Sequence, residues 1–131
     1  MFEDLDFLYL PSRDVAADVR HYTTGVGAEL VFAIERFGTR VAMIRLAAEG
    51  PDLLLAEHLE GDQPISVFRV GSLAAAVAEL EGRGVTVGER FGFPFGEGVE
   101  LGNPGPQRVA IYEATELERG RSITGRRDFE V

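Results

Sequence analysis

Leu5-Asp6-Phe7-Leu8-Tyr9-Leu10-Pro11 and Ile65-Ser66-Val67-Phe68-Arg69-Val70 open two stretches with one grammar. Each reads as an apolar strand, a serine at a turn, and then an amphipathic helical pattern. In the first stretch Val15, Val19 and Tyr22 recur at helical spacing over 14–24, with Ser12 as the expected N-cap and Gly25 and Gly27 as the stop. In the second, Ser72 caps a helix carrying Leu73, Val77 and Leu80 that stops at Gly82 and Gly84. Strands follow over 28–35, 39–46 and 51–58, and again over 85–90, 98–102 and 107–113. Asn103-Pro104-Gly105-Pro106 suits a tight turn between the last two, since proline cannot continue a ladder.

Ile65 follows Phe7 by 58 positions and Ala110 follows Leu54 by 56, so the spacing is nearly constant through both stretches. The sequence therefore predicts an α+β fold in which two paired βαβββ modules form curved, mostly antiparallel sheets around a cleft. The expected organisation is a single domain over 1–131: module one over 4–60, module two over 63–113, and a C-terminal tail over 114–131. Glu60-Gly61-Asp62-Gln63 is the expected linker.

Composition narrows the function classes. With 131 residues, 45% of them hydrophobic, the chain has enough apolar material for one real core, and it has no long apolar run of the kind that spans a membrane. Its first residues are acidic where an export signal would be basic, so a cytoplasmic location is expected. The net charge of −9 disfavours a phosphate backbone, and nucleic acid is not an expected partner. The absence of cysteine removes disulfides, thiolate metal sites and a thiol nucleophile.

Strand alternation proposes which side chains share the cleft. Phe7, Tyr9, Leu54, His58, Ile65, Val67, Ala110 and Tyr112 fall on one parity, with Arg69 and Arg108 at the mouth. Phe93 and Phe95 lie in Gly88-Glu89-Arg90-Phe91-Gly92-Phe93-Pro94-Phe95-Gly96, where the rings either stack on an organic ligand as a lid or close the barrel. His58 either faces the cleft, as a binding or acid–base group, or sits in solvent at a strand end. The glycines over 96–102 lead into a strand and a proline turn rather than a helix, so they read as turn chemistry and not as a phosphate cradle. In the tail, Phe129 is a candidate anchor onto the body or a partner subunit.

These segments, together with His21-Tyr22, Gly27-Ala28-Glu29-Leu30-Val31 and Gln107-Arg108-Val109-Ala110-Ile111-Tyr112-Glu113, resemble the vicinal oxygen chelate superfamily. That superfamily includes glyoxalase I, extradiol dioxygenases, fosfomycin-modifying enzymes and bleomycin-resistance proteins. The resemblance implies a histidine in the opening strand of each module and a glutamate in each closing strand, together holding a divalent ion. The corresponding positions here are Phe7, Leu54, Ile65 and Ala110, none of which donates a lone pair, and only His21 and His58 supply imidazole. No metal, no cofactor and no catalytic residue is therefore expected.

Three functions follow. One is a metal-independent protein of the glyoxalase/bleomycin-resistance type that binds an apolar, aromatic or cationic small molecule, as a homodimer by resemblance. The second is a lyase, isomerase or dioxygenase-like enzyme with non-standard site residues. The third is a non-catalytic interaction module whose cleft is filled by its own side chains.

Overall fold

The computed structural model describes residues 1–102 and 107–131. The turn assigned to Asn103-Pro104-Gly105-Pro106 lies outside the described residues. The chain divides into two compact units whose ends are exchanged: Phe7–Pro64 with Ile123–Val131, and Met1–Asp6 with Ile65–Ser122.

In the unit built on Phe7–Pro64, strand β1 (Phe2–Pro11) from Phe7 onward runs parallel to β4 (Asp52–Ala56), with Tyr9 opposite Leu54. Antiparallel neighbours β3 (Thr39–Arg45) and β2 (Glu29–Arg36) complete the order β2-β3-β4-β1. Helix α1 (Val15–Arg20) covers one face and continues as a π-helical turn over His21–Gly25. Its Val15 and Val19 pack with Ala33, Ala42, Ile44, Leu53 and Leu55. The cap of α1 differs from expectation. The Ser12 amide, just past the end of β1, donates to the Ala56 carbonyl at 3.1 Å, and Asp14 takes the N-cap and accepts from the Ala17 amide at 3.1 Å.

The other unit repeats the plan. β5 (Ile65–Val70) runs parallel to β8 (Arg108–Glu113) with Val67 opposite Ala110, and β7 (Gly96–Leu101) and β6 (Val87–Phe93) follow antiparallel. The pairs Tyr9–Leu54 and Val67–Ala110 are equivalent rungs, so the offsets of 58 and 56 hold in the ladders themselves. Helix α2 (Leu73–Gly82) has Ser72 as its N-cap, as expected, and packs Leu73, Ala76 and Leu80 on Val70, Val99 and Ile111. The segment read as an aromatic loop is instead a hairpin, in which Phe93 pairs with Gly96 across Pro94 and Phe95. Of the glycines read as a turn, Gly96 and Gly98 sit in β7. A Cβ at Gly98 would lie 2.7 Å from the Ile111 carbonyl oxygen and 3.1 Å from Phe93 and Tyr112.

The tail forms helix α3 (Leu117–Ile123), which the sequence pattern did not announce. None of the described helices is long and apolar enough to cross a membrane.

The β2–β3 hairpin turns through Phe37 and Gly38, with φ of 53° and 76°. Two left-handed residues make a type I′ turn, which favours Asn-Gly, yet Phe37 occupies the first place with its ring fully exposed. Phe37→Asn is expected to raise the unfolding free energy by about 0.5–1 kcal/mol, because asparagine enters the left-handed region at lower steric cost. Urea unfolding measures this, and a loss of stability would show that the ring makes a contact in solution.

Candidate functional site

The helix-packed cluster of the Phe7–Pro64 unit takes Leu8, Leu10, Leu53 and Leu55, which leaves Phe7, Tyr9 and Leu54 on the other face of their strands. In the second unit the helix takes Phe68, Val70 and Ile111, leaving Ile65, Val67, Ala110 and Tyr112 on the opposite face. Within each unit, alternate strand residues thus divide between the helix-packed face and the opposite one. All seven of these non-helix-side residues are between 0% and 7% exposed, so side chains already surround them closely.

Two phenols are the polar exceptions. The Tyr9 hydroxyl lies 2.9 Å from Nε2 of His58, whose Nδ1 is 3.3 Å from Thr39 Oγ1. His58 itself is exposed, in a turn just past the end of β4. It thus sits at a strand end in solvent, with a hydrogen bond to the buried Tyr9. Burial pushes the Tyr9 phenol up to about 12, so it meets Nε2 as a neutral hydroxyl.

Tyr112 is also buried, and its hydroxyl donates to the Asp6 carboxylate at 2.5 Å. Its phenol is raised, first by burial and then by the hydrogen bond to Asp6. Asp6 accepts in turn from Arg69 at 3.3 Å, and Arg69 also pairs with Glu3 at 3.1 Å and Asp4 at 2.7 Å. Phe93 meets Tyr112 edge to face at 5.6 Å and Phe91 at 4.8 Å.

Phe95 is directed elsewhere. A Cβ at Gly120 would lie 2.2 Å from the Phe95 ring, which places that ring directly against α3. Arg119 donates to the Phe93 and Pro94 carbonyls at 2.7 and 2.9 Å, and the Glu116 amide donates to the Phe95 carbonyl at 2.8 Å. The hairpin tip is pinned to α3 and is not a free lid. Asp6 as the partner of Tyr112 and Thr39 as the partner of His58 were missed. Asp6 and Tyr112 are 106 positions apart, a separation that no local pattern bridges.

The residues do not fit the metal that the fold family implies. Phe7, Leu54, Ile65 and Ala110 are buried and carry only carbon, and among the described residues no three His, Asp or Glu side chains stand together as a ligand set.

Comparison with solved structures settles the architecture. The methylmalonyl-CoA epimerase of Mycobacterium tuberculosis superposes with a TM-score of 0.72 at 18% identity, over 91% of this chain and 93% of that one. The chain has the vicinal oxygen chelate fold. A Streptomyces coelicolor methylmalonyl-CoA epimerase variant, in complex with 2-nitronate-propionyl-CoA, shares that fold with a TM-score of 0.67 at 18% identity, covering 88% of this chain and 99% of that one. A hypothetical protein from Bacillus halodurans does so with a TM-score of 0.68 at 15% identity, over 84% and 93%. No protein-family model matches the sequence, and no curated protein matches it.

The buried phenols of this vicinal oxygen chelate fold give a direct pH test. Because the Tyr9 value lies above the ordinary 10, the stability held in keeping it protonated is complete below pH 10 and is lost as pH rises towards 12. Absorbance titration of the phenols is expected to show two groups ionising only together with alkaline unfolding. Smooth ionisation of all three tyrosines near pH 10, with the fold intact, would contradict the burial of Tyr9 and Tyr112.

Proposed function

We propose that this chain is a metal-independent protein that binds a small organic ligand without transforming it. The observation that carries the reading is the occupation of the four family ligand positions by Phe7, Leu54, Ile65 and Ala110. A vicinal oxygen chelate reaction draws its electrophile from the ion, and these side chains hold none. The ligand is an aromatic or apolar molecule, with positive charge favoured over negative. The chain carries −9 overall, and its arginines are largely committed. Arg45 pairs with Asp52, Arg69 with three carboxylates and Arg108 with Glu100, while Arg119 and Arg127 are engaged by backbone carbonyls. A phosphate-bearing acyl-CoA would find little uncompensated positive charge.

The second reading, an interaction module without a small-molecule site, is favoured by the burial of Phe7, Tyr9, Leu54, Ile65, Val67, Ala110 and Tyr112 within one chain. A thermal-shift panel separates the two. Planar aromatic cations and neutral aromatics are expected to raise the melting temperature saturably, since a ligand at a hundred times its Kd adds about 2.7 kcal/mol. Stabilisation by acyl-CoA alone would contradict the ligand class. No stabilisation by any organic member of the panel would replace this reading with the second.

A further inference from the structure

β2 ends the strand order of its unit, so one side of its backbone lacks a ladder strand. That side is closed by the C-terminal segment. The Val31 carbonyl accepts from the Gly125 amide at 2.8 Å, the Ala33 amide donates to the Arg126 carbonyl at 2.9 Å, and the Ala33 carbonyl accepts from the Asp128 amide at 2.8 Å. The Glu35 amide donates to the Asp128 carboxylate at 3.0 Å. Along the edge, Ala33 is thus engaged through both its amide and its carbonyl, Val31 through its carbonyl and Glu35 through its amide. The Arg127 guanidinium adds a bond to the Leu30 carbonyl at 2.7 Å. Phe129 fastens the end, packing on the cluster beneath α1 with the Arg40 guanidinium 4.4 Å from its ring centre.

This is not an ordinary ninth strand. Only Ala33 and Arg127 form a true bridge, in the parallel sense, and the flanking bonds use a carboxylate and a guanidinium. Such side-chain ends satisfy the edge without offering a new row of amides and carbonyls to the next strand. The edge they cover is the one most in need of cover. Leu30-Val31-Phe32-Ala33-Ile34 is an uncharged apolar run with high strand propensity, the pattern that pairs readily between copies. An antiparallel pair of two such strands centred on Ala33 would set Phe32 opposite Ile34 and place no like charges opposite one another.

We infer that residues 125–129 are an edge guard that keeps β2 from pairing with β2 of a second copy of this chain. The guard is expected to act in the full-length protein, where hydrogen exchange should find the Ala33 and Glu35 amides protected. In full-length chain carrying Arg127→Ala, Asp128→Ala and Phe129→Ala together, both amides should lose protection. The mass by light scattering should then rise with concentration above that of the unaltered chain. Adding Glu35→Pro to that variant removes an outward N–H and should reverse the rise, because proline is tolerated where the amide faces away from the sheet. Free exchange at Ala33 and Glu35 in the unaltered chain would overturn the inference. So would a triple variant that is folded by circular dichroism, with both amides open, yet keeps the unaltered mass. If the triple variant fails to fold, Arg127→Ala with Asp128→Ala, which leaves Phe129 in place, is read by the same two criteria.

Discussion

Everything in this structure depends on the parallel pairing that closes each module, β1 with β4 and β5 with β8. Parallel neighbours cannot be joined by a tight turn, so the chain between them has room for a helix and two further strands. That helix covers one face of its sheet and takes every second side chain into a helix-packed core. The alternate residues are forced to the opposite face. A ladder register, fixed by backbone hydrogen bonds, thus decides which residues fall on the face opposite each helix.

At those positions the chain has placed packing material. Phe7, Leu54, Ile65 and Ala110 are continuous in character with their neighbours Tyr9 and Val67, and all are buried. Fully burying one such aliphatic side chain is worth roughly 1.5–3 kcal/mol, whereas a carboxylate or imidazole there without a metal would bear an unpaired desolvation cost. The carbon quartet supports the proposed metal-independent reading. Of the two phenols on this parity, the Tyr9 hydroxyl meets His58 and the Tyr112 hydroxyl donates to Asp6.

The repeated strands were legible in the sequence because period-two alternation and β-branched composition act locally, and the offsets between modules survive in the ladders. What escaped is what distant backbone decides. Ser12 looked like a cap, but the carbonyl of Ala56 holds its amide at the end of β1, and Asp14 caps the helix. The aromatic segment looked like a loop because its glycines mask a strand whose partner needs close approach at Gly98. Helix α3 is short and interrupted by Gly120, so its apolar period is too brief to read. The docking of the tail depends on Arg127 reaching carbonyls 97 and 96 positions earlier, a pairing that no local pattern encodes. Of the proposed site, parity was readable, but the partners of the two phenols and the turning of Phe95 towards α3 were not.

The account stands or falls on whether the scaffold works without an ion. Elemental analysis of the full chain, purified without chelator and dialysed, measures this directly. A divalent metal content far below one ion per chain is predicted. One tightly held divalent ion per chain would contradict the account, because it would require a ligand set that Phe7, Leu54, Ile65 and Ala110 cannot provide.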